Sequence, residues 1–180
     1  MERSGFKKIY FAPIKDNVYS SWIEIPDAEE LTPSLLGGTE PRYCGDKIAG
    51  VKETYKGEQL TIKTASIPES FKTTCMNYIK TSSGSLIKVE NKDKAWFALG
   101  YVEVVDGVDK IKVYPNCRAG LVVENSKTES QTPDYQTTDL PIIASTVNIG
   151  GKNTTCEENI PYSEDFFKTA YTLPTIPAES

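Results

Sequence analysis

The residues that could carry out nucleophilic or metal chemistry are few, and they form no catalytic set. Histidine is absent from the 180 residues, which removes the Ser–His and Cys–His nucleophile pairs and most transition-metal sites. The cysteines are far apart and form no Cys-x-x-Cys motif, so reduced, mostly buried thiols are favoured over a zinc site or a disulfide framework. They are Cys44, Cys75, Cys117 and Cys156. The sequence therefore predicts no catalytic residue, no metal site and no cofactor.

The carboxylates do not form a catalytic pair by their spacing. Glu29–Glu30 and Glu157–Glu158 are adjacent, and neighbours on an extended chain point to opposite faces. The "DGVD" of residues 106–109 lacks the rest of a calcium loop, and the "GGKNT" of residues 150–154 has Asn153 where a phosphate-binding loop needs Ser or Thr. We predict a turn at both places. The protein is predicted not to be an enzyme, and an enzyme that uses only Asp and Glu is the alternative.

Composition indicates one globular domain that does not grip nucleic acid. Charged residues make up 25% of the chain, its net charge is −5, and it contains no basic block of the kind that holds a phosphate backbone. The N-terminus lacks the apolar core of a signal peptide, and no apolar run reaches the roughly 18 residues of a membrane helix. We expect the protein to be made and to act in a cytoplasm-like compartment, without a membrane partner.

The most regular element is a hairpin within residues 94–120. Its first arm, residues 96–105, is apolar on both faces, which predicts a strand covered on both sides. Asp106–Gly107 supplies a turn with positive φ. The return arm, residues 110–114, alternates polar and apolar residues, which predicts a half-exposed strand.

Other patterns fill in a mainly β fold. Strands are predicted at residues 6–14, 18–25, 31–36, 58–65, 86–89, 120–125 and 136–147, the last broken or edged at Pro141. A helix is predicted over residues 67–80, with Pro68 and Glu69 in its first turn, and Ser163 begins a second, short helix. Residues 37–57 contain five glycines and little periodicity, so we predict a long loop there.

These elements predict one antiparallel β-sandwich or partial barrel with one flanking α-helix. The domain covers residues 1–149, and residues 150–180 form a C-terminal extension that is either part of the same domain or a separate addition.

The order of the elements resembles the major tail protein (tail tube protein) family of long-tailed bacteriophages. The resemblance covers about Phe6 to Val147 and lies in the order and spacing of elements. It is carried by a strand that runs into a helix after a proline, by Ala98-Leu99-Gly100-Tyr101, by Val113-Tyr114, and by the polar Gln131-Thr132-Pro133 or Gln136-Thr137-Thr138. The chain departs from the family pattern at residues 141–145 and after Gly150.

The resemblance implies hexameric rings that stack into a hollow tail tube through which DNA passes during ejection. It implies a virion location after assembly in the host bacterial cytoplasm, and as partners further copies of the chain, the tape measure and the terminator. It also implies two groups of site residues. Contacts between rings are expected from Arg42, Tyr43, Asp46, Lys47, Lys52 and Tyr55. Gln59, Thr61, Lys63, Glu124, Gln136 and Thr138 are expected to face the lumen, with an outward, solvent-facing position as the alternative.

Two other functions compete with the tail tube. The first is another ring-forming tail component, such as a tail terminator or the tube of a contractile particle. The second is a monomeric β-sandwich binding module, for which Trp22 and Trp96 are the only indole side chains available for a ligand.

Overall fold

The computed structural model describes residues 2–89, 94–124 and 136–177, with the backbone alone at Arg3 and Ser4. The described residues form thirteen strands, one α-helix and one 3₁₀-helix. The strands are β1 (Arg3–Lys15), β2 (Val18–Tyr19), β3 (Ile23–Ile25), β4 (Ala28–Cys44), β5 (Lys47–Thr64), β6 (Ile79–Lys80), β7 (Leu86–Ile87), β8 (Trp96–Val105), β9 (Val108–Ala119), β10 (Thr138–Ala144), β11 (Val147–Ile149), β12 (Lys152–Thr154) and β13 (Glu157–Pro161). The α-helix, α1, is Glu69–Cys75, and the 3₁₀-helix is Phe166–Lys168.

Nine strands form one antiparallel sheet that curves into a sandwich-like body. Its order is β2-β1-β8-β9-β10-β5-β4, with β3 added beside β1 and β13 added beside β9. β1 and β4 are far apart in that order, yet Phe6 of β1 and Leu31 of β4 line one cavity with Tyr101 of β8. The sheet therefore curves until β1 and β4 approach each other. The predicted fold class, mainly β and antiparallel with one helix, is confirmed.

The inner face of the sheet and α1 share one apolar core. Phe71 and Cys75 of α1 are fully buried among side chains of β1, β5, β8, β9 and β10. The Phe71 ring packs edge-on against Phe11, with centroids 4.9 Å apart, and against Phe97, with centroids 5.2 Å apart. The single helix of the described chain therefore fills the space inside the curved sheet.

Helix α1 is shorter than the predicted residues 67–80. Pro68 precedes it and Glu69 lies in its first turn, as the sequence indicates. The helix ends at Cys75 because Asn77 takes a positive φ of 58°, and Ile79–Lys80 then pair as a strand with β7. The predicted end was wrong because Tyr78 and Ile79 continue the helical apolar spacing beyond the point where the backbone turns.

The outer face of β1, β8 and β9 is covered by the C-terminal part of the chain. Val102 and Val113 pack there against Trp22 and Tyr171, and the rings of Tyr10 and Phe167 stack with centroids 3.9 Å apart. Since β13 also pairs with β9, residues after Gly150 contribute to the same sheet and to this outer core.

The hairpin that dominates the sequence forms as predicted in its first arm and turn. β8 is buried on both faces over most of its length, and Asp106 and Gly107 have φ of 49° and 77°. The prediction of a half-exposed return arm was wrong, because residues 111–115 of β9 are all buried. β13 and the C-terminal residues cover this arm.

Several predicted strands differ from the observed ones at their ends. The strand predicted over residues 18–25 is interrupted, giving β2 and β3, and the one over residues 136–147 is limited to β10. Residues 120–124 are irregular rather than a strand, and the predicted turn at Gly150–Gly151 joins β11 to β12. The short helix expected from Ser163 is the 3₁₀-helix Phe166–Lys168.

Candidate interaction site

Strands β4 and β5 extend beyond the sheet as a two-stranded hairpin. β5 pairs with β10 only as far as Glu58, whereas β4 and β5 remain paired out to Cys44 and Lys47. At roughly 3.3 Å per residue, the nine residues 36–44 span about 30 Å. We call residues 36–57 the projecting hairpin.

The projecting hairpin corrects the prediction of a long loop over residues 37–57. Nearly all of its side chains are exposed on both faces. Because neither face is buried, its sequence does not alternate between apolar and polar residues. Gly57 marks the point where it leaves the sheet, with a φ of 110° and with the position of a Cβ only 2.2 Å from the carbonyl oxygen of Ala144. A glycine is therefore required for structure at a position where the sequence suggests flexibility.

Large apolar side chains of the projecting hairpin lie in solvent. Tyr43 and Ile48 are directly opposite each other across the two strands, and both are exposed, as are Val51 and Tyr55. Exposed apolar side chains that lie together, rather than scattered singly, are typical of a surface that contacts another molecule. The hairpin is therefore the first candidate contact surface.

All six residues predicted to contact a neighbouring ring lie on this hairpin and are exposed. They are Arg42, Tyr43, Asp46, Lys47, Lys52 and Tyr55. The structure thus brings them together on one projection, and their role in stacking stays a prediction.

The outer edge of β4 offers a second means of association. β4 is the last strand in the sheet order, and in the described chain no strand pairs with its outer edge. Such an edge presents backbone donors and acceptors to another chain, and prolines limit this pairing. Pro33 and Pro41 lie in β4, so they remove two donors from the strand. The edge can accept a partner over only short stretches.

A polar area, which we call the open face, lies on the outer side of β4, β5 and β10. Gln59, Thr61 and Lys63 alternate with the buried Leu60 and Ile62, as predicted. Their cross-strand neighbours on β4 and β10 complete the area, namely Glu30, Thr32, Ser34, Asp139, Pro141 and Ile143. The outer core covers the outer face of β1, β8 and β9, and the open face lies beside that covered region.

Charges on the open face are balanced. Lys63 Nζ lies 3.2 Å from Glu30 Oε2, and this contact raises the pKa of Lys63 and lowers the pKa of Glu30. Asp139 is opposite Lys63, and Arg118 of β9 borders the face opposite Ile143. Two cations and two carboxylates sum to zero. An exposed pair of this kind contributes little to stability. Because its charges cancel, the face is polar but does not attract polyanions.

The other three residues predicted to face a lumen do not join the open face. Thr138 lies on the side of β10 that carries Leu140 and Ile142, so Asp139 takes the place that was predicted for it. Glu124 forms an ion pair of 2.5 Å with Lys72 of α1, on the helix side of the sheet. Gln136 is half-buried just before β10. The motif at residues 131–133 lies outside the described residues.

A partly buried polar cluster fixes the base of the projecting hairpin. The Tyr114 hydroxyl donates to Glu58 Oε2 at 2.7 Å, and the Tyr55 hydroxyl donates to Glu58 Oε1 at 3.4 Å. Lys112, only 5% exposed, pairs with Glu158. Burial raises the pKa of Tyr114, so its hydroxyl stays protonated and keeps this bond. The one sequence signal for this cluster is a lysine between two apolar residues of a strand.

Two of the cysteines and one of the tryptophans are buried in the cores, and the others are partly or fully exposed. Cys75 and Cys117 are buried, as predicted, whereas Cys44 is exposed on the projecting hairpin and Cys156 is half-buried. Burial raises the pKa of Cys75 to about 12, so its thiol is not a nucleophile near neutral pH. Trp22 is buried in the outer core, and the partly exposed Trp96 has the Arg118 guanidinium 5.2 Å from its ring centre.

The described residues contain neither a metal-binding cluster nor a membrane helix. No group of three or more carboxylate or thiol side chains there is arranged to hold a metal ion, and no helix there is long and apolar enough to cross a membrane. No protein-family model matches the chain, and it has no significant match among curated proteins.

Proposed function

We propose that the protein is a structural subunit of a phage tail tube, in which homo-hexameric rings stack to form the conduit for DNA ejection. The observation that carries the proposal is the projecting hairpin, a paired and exposed extension on a compact antiparallel body. In this proposal it is an interaction element with no catalytic role, and no cofactor takes part.

Contacts between stacked rings would use the length and the exposed apolar surface of the projecting hairpin. An isolated two-stranded hairpin is marginally stable in water, and this one keeps apolar side chains such as Tyr43 and Ile48 in solvent. Contact with a neighbouring subunit would bury these side chains and pair part of the β4 edge. Both effects favour association of identical subunits.

In this proposal the open face lines the lumen, and its polarity and charge balance support that position. Its serine, threonine and glutamine side chains are polar, and its charges cancel. A wall of this kind would let DNA pass without holding the phosphate backbone, since tight binding requires clustered cations. The chain as a whole is acidic, at −5, which also disfavours retention of DNA. The tape measure and terminator would contact the same tube in the virion tail, after assembly in the host bacterial cytoplasm.

Negative-stain electron microscopy of the purified full chain, before and after concentration, tests the proposal, with light scattering to follow growth. We expect hollow tubes of stacked rings whose length increases with protein concentration. Assembly that stops at single rings would instead indicate a tail terminator, because a head-to-tail contact that does not close gives open-ended growth. A monomer at every concentration would contradict the proposal and favour a binding module.

A further inference from the structure

An apolar pocket lined by two lysines lies beside the C-terminal end of α1. The cavity has a volume of about 330 Å³, within the range of ligand-binding pockets. Its lining, which we call the basic pocket, consists of Met76, Tyr78, Lys88, Val89, Lys94, Leu121 and Val122. Met76 and Val122 are buried and form its floor.

The lysines of the basic pocket are held in place by backbone oxygens. Lys88 Nζ donates to the carbonyl oxygen of Val122 at 2.8 Å, and Lys94 Nζ donates to that of Gly120. Each ammonium group has three donors, so one such bond leaves it able to bind an acceptor. Within the described ranges, neither lysine forms an ion pair with a carboxylate. Burial lowers the pKa of Lys94, and the nearby Lys88 and Arg118 lower it further.

Apolar side chains extend beyond the cavity into solvent. Leu121 is 86% exposed and Val123 is 78% exposed, and Ile79 and Ile87 are exposed on the neighbouring two-stranded sheet. A small molecule in the cavity would leave this surface uncovered, whereas an extended protein segment would cover both. Apolar contacts around a few charged groups are the usual composition of a protein interface.

The basic pocket and the projecting hairpin lie at opposite ends of the body. β5 and β9 run in the same direction because each is antiparallel to β10. The projecting hairpin precedes the part of β5 inside the sheet, whereas Leu121 and Val122 follow the end of β9. A segment bound in the pocket would therefore not touch the projecting hairpin of the same subunit.

We propose that the basic pocket binds a segment of a partner protein that places carboxylates beside a large apolar side chain. Charge complementarity carries the choice of partner: a cluster of lysines in a chain of net charge −5 selects an acidic segment, and the apolar floor selects the side chain beside it. This inference does not depend on tube formation.

Calorimetric titration of the full chain with two capped peptides tests the proposal. The probe is acetyl-Ser-Glu-Leu-Phe-Glu-Ser-amide, and its control has Gln in place of both Glu residues. We expect the acidic peptide to bind about tenfold more tightly at low salt, because it forms charge-assisted hydrogen bonds with the ammonium groups. The preference should shrink as the salt concentration rises.

Matched variants assign the binding to the pocket. Lys88→Gln with Lys94→Gln should abolish the preference for the acidic peptide, whereas Lys56→Gln on the projecting hairpin should preserve it. Leu121→Ser should weaken binding of both peptides. Because Leu121 is exposed, the variant should fold normally, and an unchanged melting temperature would verify this. Equal affinity for the two peptides, absence of binding, or an unchanged preference in the double lysine variant would overturn the proposal.

Discussion

The two long hairpins of this protein have the same backbone pairing and opposite surroundings. In the β8–β9 hairpin, β8 is covered by the helix and inner core on one side and by C-terminal aromatic side chains on the other. The outer part of the β4–β5 hairpin is exposed on both sides. Strand pairing alone stabilises a hairpin only marginally, so the first is held by the fold, whereas the second has surface available for another molecule. The first hairpin therefore contributes to stability, and the second is the surface that we propose for association.

Removal of a ring from the inner core should have the largest effect on stability. Phe71→Ala deletes the ring between Phe11 and Phe97 and should lower the free energy of unfolding by about 3–5 kcal/mol. Chemical denaturation measures this loss. Tyr43→Ala on the projecting hairpin is the control, and a comparable loss there would contradict the separation of the two regions.

A methyl group at the base of the projecting hairpin should have the next largest effect. Gly57→Ala forces a side chain into positive φ and against the carbonyl oxygen of Ala144, which should cost about 3 kcal/mol. Gly50→Ala is its control, because a Cβ there meets no atom within 4 Å. Thermal melting of both variants measures the difference, and equal melting temperatures would show that the chain does not leave the sheet at Gly57.

The outer core should be weaker than the inner core. Phe167→Ala removes the ring that stacks on Tyr10 and meets Trp22 edge-on. Since Phe167 is only partly buried, the expected loss is about 1–2 kcal/mol, again measured by denaturation. A loss as large as that of Phe71→Ala would mean that the C-terminal residues are central to the fold, and no loss would mean that they do not cover β8 in solution.

At neutral pH the smallest effect is that of the Cys75 thiol, which changes stability only under alkaline conditions. Burial raises the pKa of the Cys75 thiol from 9.0 to about 12, so the unfolded chain loses this proton at a lower pH than the folded protein does. This thiol therefore has no effect on stability below about pH 9, and the free energy of unfolding falls as pH rises from there toward 12. Cys75→Ala should reduce that slope, measured by denaturation at several pH values. Parallel slopes for the two proteins would contradict the burial of this thiol.

The sequence predicts best the strands that are buried on one face or on both faces. The apolar faces of residues 96–105 and the alternation around Leu60 and Ile62 follow directly from burial. The Asp106–Gly107 turn follows from the conformations that Gly and Asp tolerate. These are local rules, and the structure follows them.

The remaining features depend on contacts that are distant in sequence. From the sequence, Lys112 is expected to face solvent, but β13 places Glu158 beside it. Thr138 is expected on the outer face of the sheet, but its register with β5 places it on the inner face. The projecting hairpin has no dry face, so its strands leave no periodic signal. For the candidate site, the sequence predicted a loop where the structure has two paired strands, and the contact role of the six hairpin residues stays a prediction.

The most direct test of the central claim compares assembly of the wild-type chain with that of the double variant Tyr43→Ser, Ile48→Ser by negative-stain electron microscopy. This pair lies across the hairpin, exposed to solvent. We expect the variant to keep the wild-type melting temperature as a monomer and to form no stacked tubes under conditions in which the wild-type chain does. Tubes of normal length and abundance from the variant would contradict the claim that the projecting hairpin joins subunits.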